Sequence, residues 1–456
     1  MERNDPTVAG GSYPRFRWLV LLSMFLVTAI SDVTMISPAP LMGVIAKSLN
    51  LPLGDATGYF MGVFNLAVAI SCVVSGIVCD RWGFMPVLIF CSLALTLPTI
   101  ALPYFGYNFE GVMSIRIIQA IGCGAVLATV SPVAALWFPR KDRGIVTGMQ
   151  QMAVSFGIAT GFVAAPALYG TTGNWQTAMA WQGIGCLPAV VVTLAVALAP
   201  KPPVPGSEGD VYEKSHTGSE VVKAATKQPA TWIGVCISFC LMWVLNAYND
   251  LTPAYLAIEP PLGLGFGPLT AGKMMMTLEF AAMAGSVATA FVMIRIFKGK
   301  VRPVIVIGFL MFAIFTISIR FPIIHSTAAT IIICLIFAGF FRSWVMPNAL
   351  AFVAMHYPPH ITGKIVGMWI GMGIFGSSAG VICGALALRS TGNYHLSFII
   401  VSTISILGLI FTIFLKPPKF FGHKAQTEPG PGKADMGSTI SLKSVRTSGT
   451  AEDLGS

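Results

Sequence analysis

Phe398-Ile-Ile-Val-Ser-Thr-Ile-Ser-Ile-Leu-Gly-Leu-Ile-Phe-Thr-Ile-Phe-Leu415 runs eighteen residues without one charged side chain. Leu88–Pro103 reads the same way, interrupted only by Ser, Thr, Cys and Pro. An α-helix needs about 20 such residues to cross a hydrocarbon core. Water cannot satisfy the backbone there, so a run of this kind must be helical. Working outward, the pattern repeats along the chain and predicts helices over 17–41, 57–78, 86–106, 112–137, 144–170, 178–199, 230–258, 270–297, 302–321, 326–355, 362–388 and 394–415. The alternating pattern of a membrane barrel is absent. The expected fold is an all-α membrane protein of twelve transmembrane helices in two six-helix bundles. No cleavable signal peptide is visible. The first apolar run continues into Asp32 and two prolines without a small-residue cleavage site, so it reads as a retained helix.

Composition agrees. Apolar residues make up 55% of the 456, charged residues only 10%, and mean hydropathy is +0.77. A soluble domain carries roughly 25% charged residues. The net charge of +10 would suggest a nucleic-acid partner, but its distribution points to topology instead. Of the 28 Lys and Arg, 22 fall on the side of the N-terminus, whereas the opposite side holds Lys47, Lys273, Arg320 and Arg389. That asymmetry predicts a multi-pass protein of an inner or plasma membrane with both termini cytoplasmic. The nine cysteines lie within the predicted helices or, for Cys79, one residue past the end of one, and form neither a disulfide framework nor a metal site. His356 and His360 are separated by Pro358-Pro359 and share no helix face. No cofactor, metal or nucleic acid is expected.

Residues 200–229, rich in Pro, Gly, Lys and Glu, read as a cytoplasmic linker. They divide an N-terminal bundle (17–199, after a cytoplasmic segment 1–16) from a C-terminal bundle (230–416). Residues 417–456 are rich in Gly, Ser and Thr and low in large apolar groups, and read as a disordered cytoplasmic tail. The halves match at an offset of 218 to 219 residues. Pro139 pairs with Pro358, Gly144 with Gly363, Gly148-Met149 with Gly367-Met368, Phe156-Gly157 with Phe375-Gly376, and Gly161 with Gly380. Asp32-Val33-Thr34 pairs with Asp250-Leu251-Thr252. Parallel repeats of this kind suit a transporter that rocks one half against the other.

Between the second and third helices stands Gly76-Ile-Val-Cys-Asp80-Arg81-Trp82-Gly83. Gly76 permits close helix approach, Asp80 can cap a helix end or accept from basic groups, and Gly83 allows a tight turn. This resembles the loop signature of the major facilitator superfamily: Gly, three residues, then Asp-Arg-x-Gly. The resemblance implies a polar latch at the cytoplasmic gate formed by Gly76, Asp80, Arg81 and Gly83. The chain departs from the family at Met85-Pro86, where basic residues usually follow, and Arg295–Arg302 lacks the Asp-Arg pair. Arg116-Ile-Ile-Gln119-Ala-Ile-Gly122 is similar to the family's fourth-helix pattern, with Ala120 replacing a Gly. The resemblance covers residues 15–416 and implies secondary active transport by alternating access, not enzymatic chemistry. Asp32-x-Thr34 followed by Pro40 looks like a first-helix motif of multidrug exporters. The exporters' fifth-helix motif is only half kept, in Gly157-xxx-Gly161. Small residues at that spacing, and at Gly376-xxx-Gly380-xxx-Gly384, are expected to pack helices closely.

Ionisable residues within the apolar runs are the functional candidates, because a charge there costs about 2.5–3.5 kcal/mol even on the mild insertion scale. They are Asp32 (first helix), Arg116 (fourth), Asp250 (seventh), Glu279 (eighth) and Arg342 (tenth). In the superfamily the first, fourth, seventh and tenth helices line the central cavity. Desolvation favours a neutral carboxyl and a neighbouring arginine favours a charged one, a physical route to proton uptake and release. The planar guanidinium suits a carboxylate or sulfonate. The plain alternative makes Asp32–Arg116 and Asp250–Arg342 structural ion pairs. Gln119, Asn246, Tyr248, Asn249, Trp344 and Asn348 are possible pocket residues. The reading favours a monomeric, proton-coupled symporter of a small organic solute, with an organic anion preferred because two arginines lie at cavity depth. Export of a drug or metabolite against protons and a non-transporting sensor remain open.

Overall fold

The structure, a computed structural model, describes residues 15–138, 142–198, 223–357 and 359–418. The expected tail and most of the expected N-terminal segment and linker therefore lie outside the described residues, as do Pro139 and Pro358. The described chain is helical, with no strand among these residues. Its spanning helices are α1 (Arg17–Ser48), α2 (Leu53–Trp82), α3 (Phe84–Ile100), α4 (Phe109–Ala134), α5 (Val146–Thr172), α6 (Trp175–Ala197), α7 (Pro229–Ala257), α8 (Pro268–Arg295), α9 (Val301–Ser318), α10 (Ala328–His356), α11 (Ile361–Thr391) and α12 (His395–Phe414). Eleven are long and apolar enough to cross a membrane by themselves. The other, α3, has 17 residues and resumes past Ala101 as the turn Leu102–Phe105. This is a multi-pass membrane protein of two six-helix groups, α1–α6 and α7–α12.

Several boundaries and continuities differ from expectation. The first helix was expected to end at 41, where Pro38 and Pro40 remove two backbone donors. Instead a 3₁₀ turn, Ala39–Leu41, bridges the prolines and the helix resumes to Ser48. Proline at the start of a helical turn removes only a donor that would be unpaired anyway. Helix α10 was expected to be continuous, yet it breaks at Ser343-Trp344. Pro347 explains this, since it cannot donate to the carbonyl of Ser343 four residues back. Helix α11 breaks similarly at Ile374. In α2 a π-helical turn, Gly58–Val63, widens the backbone.

The repeated glycines pack equivalent pairs of helices. A Cβ on Gly157 or Gly161 would run into the backbone or side chains of α1 at Ala29, Val33 and Ile36. On Gly376 it would strike the carbonyl of Phe239 in α7, and on Gly380 it would lie 2.6 Å from that of Trp243. Thus α5 lies on α1 as α11 lies on α7, both through glycine, because only a missing Cβ lets the backbones approach so closely. Gly272 does the same between the groups, seating α8 against the Phe162 carbonyl of α5.

Among the described residues, three polar contacts join the two groups toward the end remote from the N-terminus. Arg389 Nη1 meets Asp55 Oδ1 at 3.0 Å. Ser378 Oγ donates to the carbonyl of Gly62 at 3.0 Å, and Asn65 Nδ2 donates to Asp250 Oδ2 at 3.1 Å. Toward the other end, a Cβ on Gly76, Gly148, Gly363 or Gly367 would meet open space. At the end remote from the N-terminus, α2 is tied to α11 and α7.

Candidate functional site

Among the described residues, one polar cluster lies midway through this apolar bundle and another nearer the end remote from the N-terminus. The first is built on the break in α10. Arg342 is the last residue of the segment Ala328–Arg342. It lies fourteen residues from either end of α10, about 21 Å at 1.5 Å per residue. A helix C-terminus carries a partial negative charge, which favours a cation there. Arg342 Nη1 donates to Asn249 Oδ1 of α7 at 2.9 Å, and Nη2 forms a charge-assisted hydrogen bond with Glu279 Oε1 of α8. Asn249 Nδ2 closes the triangle by donating to Glu279 Oε1 at 3.2 Å. Arg342, Glu279 and Asn249 are 5%, 1% and 1% exposed, so the ion pair is fully desolvated. Two of the five guanidinium N–H groups are engaged by described residues. Pro253 lacks an N–H, which also deprives the Asn249 carbonyl of its intrahelical donor.

Asp32, half-buried on α1, lies within electrostatic reach of Glu279 across the two groups. Gly157 of α5 faces its Cβ, so the absence of a side chain there makes room for the carboxylate. Asp32 makes no hydrogen bond or ion pair among the described residues. Close by, Ser31 Oγ donates to Cys123 Sγ at 2.9 Å, and Thr28 Oγ1 donates to Gln150 Oε1 at 3.0 Å.

The second cluster surrounds Arg116, and here every donor is spent. Nε donates to the Phe60 carbonyl at 3.1 Å, Nη1 to Thr34 O at 2.9 Å and Gln119 Oε1 at 3.1 Å, and Nη2 to Met35 O at 3.2 Å and Met61 Sδ at 3.8 Å. The guanidinium also lies 3.8 Å from the centre of the Phe64 ring. The reason is local. Pro38 leaves the Thr34 carbonyl without a helical donor, and Phe60 sits in the π turn, so Arg116 satisfies carbonyls that the distorted helices cannot. Gln119 Nε2 continues to Thr99 Oγ1 at 2.8 Å. A cavity of about 20 Å³ beside Arg116, Gln119, Ser37 and Gln182 is water-sized. Asp250, within electrostatic reach of Arg116, accepts from Asn65 of α2.

The ion pairs differ from those considered on sequence. Arg342 pairs with Glu279, not Asp250, because Asp250 is turned toward α2 while Asn249 takes the α8–α10 side. Arg116 is met by backbone carbonyls instead of Asp32. Of the possible pocket residues, Asn249 joins the Arg342 cluster. Asn246 donates to Ser377 Oγ at 2.8 Å, and Asn348 donates to Thr289 Oγ1 at 2.7 Å and to the Trp344 carbonyl at 2.6 Å, so each ties neighbouring helices together. Tyr248 packs edge-on against Phe312 and Phe398, with its hydroxyl buried, within electrostatic reach of Arg342 and without a partner among the described residues. Trp344 packs on Phe340 and Phe341, its indole N–H likewise without a partner among those residues. Sequence reasoning missed Asn65; its one signal was an amide inside an apolar helix. In the loop motif, Gly83 adopts φ +84°, the left-handed conformation that the tight turn requires. Asp80 and Arg81 are exposed there and make no ion pair with the described residues.

The family described as Major Facilitator Superfamily matches residues 22–301 and 264–449. A probable sulfoacetate transporter of Cupriavidus necator is 24% identical over 415 residues, covering 87% of this chain and 93% of that protein. The cis,cis-muconate transport protein of Acinetobacter baylyi is 23% identical over 389 residues, covering 82% and 89%. Among solved structures, a bacterial homologue of the human lysosomal transporter Spinster, inward-facing and occupied, superposes with a TM-score of 0.70 at 14% identity, covering 88% of this chain and 97% of that one. A D-xylose–proton symporter gives 0.68 at 17% identity over 88% and 98%.

Proposed function

The chain belongs to the major facilitator superfamily, and from that premise we propose that it is a proton-coupled carrier of a small organic anion, a carboxylate or sulfonate, working by alternating access. One observation carries the substrate class. A desolvated arginine, Arg342, stands at a helix break midway through the bundle, with only two of its donors engaged by described residues. Broken helices at mid-membrane depth are where transporters of this kind bind solute and ion. Arg116 serves a different purpose in this reading: with all five donors occupied it braces α1 and α2 around their distorted turns. The relatives named for sulfoacetate and muconate, both organic acids, support an anionic solute. Asp32 and Glu279 are the candidate proton carriers. The excess of basic residues on the N-terminal side supports cytoplasmic termini.

Uptake of labelled sulfoacetate, cis,cis-muconate and neutral and cationic solutes into proteoliposomes tests the reading. Organic anions should accumulate only with an acid-outside pH gradient, and a protonophore should abolish the accumulation. A carrier that ignores every acid and moves cations would overturn it. A second reading, export in exchange for protons, is favoured by Asp32, a carboxylate without a partner among the described residues. Under it, an acid-inside gradient would be the one that drives accumulation, protons leaving right-side-out vesicles as solute enters.

A further inference from the structure

Within the anion-carrier reading, on which this inference rests, we propose that Glu279 is an internal stand-in for the solute: its carboxylate occupies the place on Arg342 that the solute's carboxylate or sulfonate takes, and a proton arriving on Glu279 vacates it. The argument starts from charge. Arg342 and Glu279 are 5% and 1% exposed, and Asn249, the third member of the triangle, is an amide. A buried ion pair is tolerable; a buried charge stripped of its partner costs several kcal/mol. Only two arrangements keep Arg342 paired with a single anion. In one, Glu279 is ionised and bonded to Arg342, and no solute is present. In the other, Glu279 holds a proton as a neutral acid, and the solute's anionic group has replaced it on the guanidinium. Solute without proton adds a second negative charge to the desolvated site. Proton without solute leaves Arg342 unpaired. Both are disfavoured for the same reason, so the binding of one anionic group is tied to one proton with no further moving part.

The groups facing Glu279 allow this. Arg342 comes from α10, and Asp32 from α1 lies within electrostatic reach. From α7, Asn249 bonds to it directly, Asp250 is turned away to Asn65, and Tyr248 lies near Arg342 with its hydroxyl unpartnered among the described residues. The ionisable residues of α5 and α9 are Tyr169 and Arg302, each near a helix end. Asn249 contributes to the exchange itself. Its Oδ1 holds one arm of Arg342 while its Nδ2 holds Glu279, so the guanidinium keeps its orientation when the carboxylate leaves. A planar donor fork held in place is what a two-oxygen acceptor requires.

The test uses the full chain in detergent, with sulfoacetate and cis,cis-muconate as probes. Anion binding to the wild-type protein in weakly buffered solution should take up one proton per site, and the apparent Kd should weaken by up to about tenfold per pH unit as protons become scarce. In Glu279→Gln, which mimics the neutral acid in shape, proton uptake should vanish and the Kd should vary less than about twofold over the same range, a flat profile expected for an unlinked site. Anion binding to the wild type without proton uptake would overturn the inference and leave the anion-carrier reading standing. So would a Glu279→Gln variant that binds with undiminished proton uptake. Failure of the wild type to bind either probe or any organic acid would instead sink the underlying reading. The wild-type measurement decides the matter even if the variant fails to fold.

Discussion

Replacing Arg342 by Met keeps the length and apolar bulk of the side chain but removes the cation that, among the described residues, is bonded to Glu279. The carboxylate, 1% exposed, would then keep, among the described residues, the hydrogen bond from Asn249 Nδ2 at 3.2 Å. Breaking a buried pair from one side costs about 3–5 kcal/mol. Adding Glu279→Gln removes the stranded charge, and the glutamine Oε1 can still accept from Asn249. The double variant should therefore be more stable than Arg342→Met alone by about 2 kcal/mol or more, the remaining deficit coming from the lost arginine hydrogen bonds. Asp250→Asn provides the control. Asp250 bonds to Asn65 across the two groups, so adding it to Arg342→Met should give no rescue. Reversible unfolding by SDS titration in mixed micelles, without solute, reads all three. Additive effects for Arg342 and Glu279, or rescue by Asp250→Asn instead, would refute the pairing and with it the solute stand-in.

Arg342→Lys keeps the charge but loses the two-pronged geometry, so solute affinity measured by calorimetry should fall about tenfold or more, on the scale of one lost charge-assisted bond; unchanged affinity would show that the group acts as a point charge. Gly376→Ala should destabilise the chain by about 1–3 kcal/mol, because the new Cβ meets the Phe239 carbonyl. Gly367→Ala, facing open space, should be near neutral in the same unfolding assay. Asp80→Asn should leave folding and membrane insertion unchanged, since Asp80 is exposed and bonds to no described residue, yet slow transport if the latch forms in another state of the cycle. Full turnover by the correctly folded variant would exclude the latch.

Apolar run length by itself determines the architecture. A segment such as Phe398–Leu415 has one way to satisfy its backbone in a bilayer, and twelve such segments leave little freedom of fold class. The glycine repeats were legible for the same reason: a missing Cβ at a four-residue spacing has a local meaning, close helix contact, which Gly157, Gly161, Gly376 and Gly380 fulfil. The five intramembrane charges also announced themselves, because each is costly wherever it lies. Their partners did not. Whether Arg342 meets Asp250 or Glu279 depends on a rotation of α7 of about 100° per residue, which sends neighbours Asn249 and Asp250 to opposite partners. Arg116 was a candidate in sequence beside Arg342, yet its donors are taken up by backbone carbonyls around Pro38 and the π turn of α2 and by Gln119 and Met61. Hydrophobicity is a property of a segment and survives being read one residue at a time. A hydrogen-bond partner is a property of two helices and their angle, and only the packed bundle decides it.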